Sequence, residues 1–256
     1  MDAVDKVLET LEHARKKGWL ERILDLFRSE PRIVLVGCSG AGKTQLLHSL
    51  RTHTPRAIDR LNRTQFAQEH AISLGNVEYV TCDTPGHPSK FRERVAAIND
   101  ACNHGPCGVV VVAAFGYHEY EFHGGMTQAV EPTLGGKAAD TWLEYHRAAE
   151  TKHLEEIAPH LSAQNRVRWI VTCITKADAW WTHRNQVVTH YANSDYARVA
   201  SGCGKPSHTL LYCSRIQRFF GTASLDPEFD ENEKDRLREE FIGQTLTQLM
   251  KGLEGR

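Results

Sequence analysis

Three stretches of the chain are apolar at almost every position: RIVLV from Arg32, GVVVVAA from Gly108 and VRWIVTCI from Val167. Each has strand length, and each reads as a buried strand. AQEHAISLG and NVEYVTCD meet at Gly75-Asn76, which predicts a hairpin. TLLYCSRI, from Thr209, predicts a further strand. Helical spacing takes over in KTQLLHSL from Lys43, in DTWLEYHRAAETKHLEEIAPHL from Asp140, and in the acid-started C-terminal stretch from Asp230, which is expected to cover the sheet. Residues 1–30 form an amphipathic pattern, with Val4, Val7, Leu8 and Leu11 followed by Trp19, Leu20, Ile23, Leu24 and Phe27. Gly18 interrupts it and Pro31 stops it. They are expected to be a helical extension outside a domain spanning 31–256, packed on that domain in preference to docking on a partner.

Composition narrows the class. The chain has 256 residues, 41% of them hydrophobic, and a net charge of −1. A core is available, and there is no global charge that draws the chain to nucleic acid or an acidic membrane. Seven scattered cysteines argue for a reducing compartment and against a disulfide framework. No apolar run reaches bilayer length, and the N-terminus lacks the basic-then-apolar order of a signal peptide. A soluble cytoplasmic protein is expected.

The chemistry is concentrated at strand ends. GCSGAGKT, from Gly37 through Ser39, Gly40, Ala41, Gly42 and Lys43 to Thr44, matches G-x-x-x-x-G-K-[ST], with Gln45 next in the helix. Glycines let backbone N–H groups turn toward phosphate oxygens, Lys43 reaches the β- and γ-phosphates, and the Thr44 hydroxyl suits Mg²⁺. The helix starting at Lys43 points its positive end at the same anion. A strand before the loop and a helix after it disfavour a chance glycine-rich turn. The strand VEYVTCD ends in Asp83-Thr84-Pro85-Gly86. Asp83 there suits the Mg²⁺ shell, and the Gly86 N–H suits a γ-phosphate. The third apolar run ends in Thr175-Lys176-Ala177-Asp178. Two carboxylate oxygens on Asp178 match the N1–H and 2-amino donors of guanine, a pair that adenine lacks. Lys176 can lay its stem along the base, and backbone N–H groups at Ser214 and Arg215 can meet the guanine O6.

In this order and spacing, the four elements resemble the P-loop GTPases related to translation factors, the TRAFAC class, in a small single-domain form. The resemblance runs from about Arg32 to the C-terminus. It implies an α/β three-layer fold, a mostly parallel sheet with helices on both faces. It also implies Mg²⁺ as cofactor and GTP and GDP as ligands. The family usually has Asn where Thr175 stands. Between the phosphate loop and DTPG, the family places a threonine that closes on Mg²⁺ and the γ-phosphate. Thr64 stands where that residue belongs, with Thr52 and Thr54 as alternatives. Arg56, Arg60 and Arg63 lie nearby and read as a solvated face before an internal arginine finger. His87 directly follows DTPG, as in translation factors, where this histidine orients the attacking water.

Together these imply a Mg²⁺-dependent GTPase acting as a molecular switch, with catalytic roles for Lys43, Thr64 and His87. The β-barrels that follow the GTPase domain of translation factors are missing from the sequence, so the resemblance implies the chemistry and not ribosome work. An activating protein or a homodimer is the expected partner. The rival class is a nucleotide-binding interaction module or scaffold with negligible hydrolysis. An insertion around 115–138 is aromatic and rich in His and Gly, longer than a compact domain needs, and suits a lid or a partner. His118, Glu119, Glu121 and His123 in it have no diagnostic ligand spacing and read as loop residues. Cys102 and Cys107 in CNHGPC read as buried thiols rather than half a zinc site.

Overall fold

Neighbouring residues of the first strand, β1 (Arg32–Val36), face opposite sides of the sheet, and both sides are apolar. Val34 and Val36 pack into one core cluster, Ile33 and Leu35 into another. Such a strand needs covering on both faces, and this requirement sets the architecture. The structure, a computed structural model, describes residues 32–52, 67–74, 77–119 and 137–211, with the single positions 236 and 249. The extension expected over 1–30 and all of the C-terminal helix except Arg236 and Leu249 lie outside the described residues.

The further elements are α1 (Lys43–Thr52), β2 (Gln68–Leu74), β3 (Val77–Asp83), α2 (Phe91–His104), β4 (Cys107–Ala113), α3 (Lys137–Ala163), β5 (Val167–Ile174), α4 (Ala177–Trp180), α5 (Arg184–Asn193), α6 (Asp195–Gly202) and β6 (Ser207–Leu211). The described strands form one sheet in the order β2-β3-β1-β4-β5-β6. Every pairing is parallel except β2 with β3, which is antiparallel from Leu74↔Val77 to Gln68↔Asp83. The hairpin expected at Gly75-Asn76 is consistent with that register, although the two turn residues themselves are not described.

One face of the sheet carries α2, α3, α5 and α6, through Ile98, Leu154, Ile157, Tyr191 and Tyr196. The other carries Leu46 and Leu47 of α1, with Leu249 packed against the same cluster. The result is the three-layer α/β fold that the sequence implied. Because the parallel strands run the same way, the carboxyl ends of β1, β3, β4 and β5 lie along one edge. Crevices for ligands in open α/β sheets lie at that edge. Lys137 begins α3 earlier than the expected start at Asp140 and trims the far end of the 115–138 insertion.

Candidate functional site

β1 delivers the chain into the glycine loop with no slack. Val36 is fully buried, and the backbone then takes positive φ at Gly37, Gly40 and Gly42 (146°, 77° and 92°) before α1 starts at Lys43. Lys43 folds back over this loop, and its Nζ donates to Gly37 O at 3.0 Å and Cys38 O at 2.9 Å. Burial pushes the Lys43 amine below its ordinary value, against the opposing charge of Asp83. A cation is thus held inside a ring of main-chain groups at the positive end of a helix, an arrangement that suits a polyphosphate.

β3 brings in the second segment. The Thr44 hydroxyl donates to Asp83 Oδ2 at 2.6 Å. Thr84 is tied to β1, with both N and Oγ1 donating to Leu35 O at 3.3 and 2.7 Å. Gly86 then passes so close to the loop that a Cβ there would lie 2.5 Å from Lys43 Nζ and 2.5 Å from Ser39 N. Only glycine allows that approach.

Beyond Gly86, the wholly buried Arg94 of α2 supports the turn from below. Its Nη1 donates to His87 O at 2.7 Å and Pro85 O at 3.3 Å, and its Nη2 lies 3.7 Å from Glu156 of α3. His87 itself is exposed. Its Nδ1 lies 2.8 Å from Ser89 Oγ and accepts from Ser89 N at 3.3 Å, capping the short 3₁₀ turn Pro88–Lys90.

β5 supplies the third segment. The Thr175 hydroxyl donates to Ala41 O in the glycine loop at 2.6 Å and lies 3.1 Å from Ala113 O at the end of β4. Thr175 therefore ties three strand ends together, and the departure from the family's usual Asn leaves the loop anchored. Lys176 adopts a left-handed backbone (φ 60°, ψ 40°), is buried, and donates from Nζ to Tyr117 O at 2.7 Å. Asp178 follows in α4, with only its backbone described.

The structure thus brings Gly37, Ser39, Gly40, Ala41, Gly42, Lys43, Thr44, Asp83 and Gly86 together, with Gln45 following in α1 and Lys176 reached through Thr175. Thr64, Ser214 and Arg215 lie outside the described residues, as do Thr54, Arg56, Arg60, Arg63, Glu121 and His123. Cys102 and Cys107 are buried as expected. His118 is not an open loop residue: it is 3% exposed and paired with Glu150.

Reading the sequence left out Arg94, Glu150 and His153, yet a signal for them was present. Phe91, Arg94, Ile98 and Ala101 follow helical spacing, as do Leu143, His146, Glu150, His153, Ile157 and Leu161. A polar residue on an apolar stripe is a buried polar residue, and a buried polar residue needs partners.

Residues 32–125 match the family model described as 50S ribosome-binding GTPase. No curated protein matches the chain. Among similar solved structures is the mammalian SRP receptor, at 14% identity over 71% of this chain and 90% of that chain, with a TM-score of 0.44. Another is the small GTPase Arl6 BBS3 from Trypanosoma brucei with bound nucleotide analogue GppNp, at 13% identity over 87% of this chain and 98% of that chain, with a TM-score of 0.41.

Proposed function

We propose that the chain is a P-loop GTPase that binds GTP with Mg²⁺, hydrolyses it to GDP and phosphate, and works as a molecular switch. The observation that supports this most is the meeting of two segments. Thr44 of the glycine loop bonds Asp83 of DTPG, while Gly86 packs against the Lys43 amine and Ser39 N. A γ-phosphate bound at such a junction would touch both segments, and its loss would release one of them.

In this reading Lys43 and the loop N–H groups bind the β- and γ-phosphates, and the Gly86 N–H meets the γ-phosphate. Thr44 and Asp83 put a hydroxyl and a carboxylate side by side, hard oxygen donors that fit Mg²⁺, and Thr64 is the third residue assigned to it. The bound ion supplies charge neutralisation at the phosphate oxygens. Asp178, with Lys176, Ser214 and Arg215, reads the guanine. His87 orients the attacking water, so that catalysis rests on positioning and charge stabilisation. Residues 31–256 form the GTPase domain in this assignment. The 1–30 segment stands outside it, and the insertion around 115–138 is available to an activating protein or a second copy. Among the described residues, no helix is long and apolar enough to cross a membrane; a cytoplasmic place is part of the proposal.

His87→Ala is expected to leave GTP affinity near wild type and to slow single-turnover hydrolysis by ~10- to 10⁴-fold. Hydrolysis at the wild-type rate would remove His87 from the mechanism. One observation favours the rival reading of an interaction module with negligible hydrolysis: the His87 ring spends Nδ1 on Ser89. If wild-type protein binds GTP but shows no single-turnover hydrolysis, alone or with an activating partner, that reading replaces the enzyme.

A further inference from the structure

The turn that leaves β4 is strained and fully tied down. Phe115 has φ 51° and Gly116 φ 88°, the left-handed region, and for Phe115 this has a steric cost. Ala114, Phe115, Tyr117 and His118 are all buried. One carboxylate organises them. Glu150 of α3 is 4% exposed, and its Oε1 accepts from Ala114 N at 2.8 Å and Gly116 N at 3.2 Å. The same oxygen lies 3.2 Å from His118 Nδ1. Oε2 accepts from the Tyr191 hydroxyl at 2.6 Å, and the hydroxyl oxygen accepts from Phe115 N at 3.0 Å. Three successive N–H groups of the turn therefore end on Glu150, directly or through Tyr191.

Burying a carboxylate is costly unless donors surround it, and here four do. Without the carboxylate those donors would be buried and unpaired. The carboxylate holds the turn, and the turn's Tyr117 carbonyl accepts from the Lys176 amine at 2.7 Å. Lys176 lies between Thr175, which anchors the glycine loop, and the helix that carries Asp178. A shift of Tyr117 O would lengthen the bond it accepts from Lys176, which belongs to the segment assigned to the base.

We propose that Glu150 is a positioning residue for guanine recognition, acting through the Ala114–His118 turn on Lys176. The inference rests on the GTP-binding reading above. Its effect is expected mainly at the base, because Glu150 bonds the turn and the turn's Tyr117 carbonyl holds Lys176.

Competition binding of GDP and ADP against a fluorescent guanine nucleotide tests this in wild type, Glu150→Gln, Lys176→Met and the double variant, with thermal stability followed alongside. In Glu150→Gln, GDP affinity is expected to fall ~10- to 100-fold, the scale of a lost charge-assisted hydrogen bond. ADP affinity should hold, so the preference for guanine contracts. The double variant should lose little beyond the larger single loss. Equal weakening of GDP and ADP, unchanged GDP affinity, or fully additive losses would each overturn the inference while leaving GTP binding intact. A wild-type chain that does not prefer GDP over ADP overturns the guanine reading itself. Should Glu150→Gln not fold, Tyr191→Phe carries the test: it deletes one donor to Glu150 and the acceptor of Phe115 N, and the same selective loss is expected at smaller size.

Discussion

Lys43 does two jobs at one atom. Its amine closes the glycine loop onto Gly37 O and Cys38 O, and it faces the place assigned to the β- and γ-phosphates. Burial has already pushed the amine below its ordinary value, so much of its hydration is gone before any ligand arrives. An anion bound there gains a cation whose desolvation cost was met on folding. Lys43→Ala is therefore expected to weaken GDP binding by at least ~100-fold, the scale of two lost charged hydrogen bonds. Calorimetry with GDP and Mg²⁺ measures this, and unchanged affinity would sink the phosphate-loop assignment. His87 differs in kind. It is exposed and bonded within its own turn, so the water-orienting role proposed for it requires movement of the segment after Gly86.

At the scale of elements, strand ends were the legible part of the sequence. RIVLV, GVVVV and VRWIVTCI are continuous because both faces of β1, β4 and β5 are covered, and such runs end where the chain must turn into chemistry. Periodicity could not assign partners to polar residues inside helices. Arg94 lies on the apolar stripe of α2 and serves the backbone of Pro85 and His87, seven to nine residues earlier. Glu150 lies on the stripe of α3 and serves a turn 34 to 36 residues earlier. Such contacts depend on how helices pack on the sheet, which spacing along one helix does not encode.

The β5 end joins the two kinds of information. Thr175 departs from the usual Asn, yet its hydroxyl still reaches the glycine loop, so the segment Thr175–Asp178 keeps its register against that loop. Asp178→Asn is expected to shift preference from guanine toward xanthine, because an amide can donate to the 2-oxo group of xanthine where a carboxylate accepts from the guanine donors. Competition between GTP and XTP reads this directly, and retained GTP preference would mean that another residue reads the base.

For the molecule as a whole, the buried polar groups between α3 and the sheet couple stability to pH. His153 is 6% exposed, with its Nε2 enclosed and making no hydrogen bond. Burial, with the positive charges of Arg94 and Lys43, holds its pKa well below the ordinary 6.5. His190 is lowered too, again mainly by burial. In the folded chain His153 is neutral; in the unfolded chain it takes a proton below about 6.5. The unfolded state then binds more protons, so this contribution is complete above pH 6.5 and is lost as pH falls from there toward the folded value. Glu150 adds a second stage. Burial pushes its carboxyl up, but the bond and charge of His118, with Tyr191 and Ala114, outweigh that and hold it below its ordinary 4.5. Its contribution is therefore lost only below that value. Acid destabilisation should set in near neutrality and steepen in the carboxylate range. His153→Leu removes one titrating group from the first stage. Urea unfolding between about pH 5 and about pH 8 should show a smaller slope below pH 6.5 than wild type, by up to ~1.4 kcal/mol per pH unit. The residual slope would include the contribution of His190. An unchanged slope would mean that the folded chain takes up a proton at His153 as readily as the unfolded chain does.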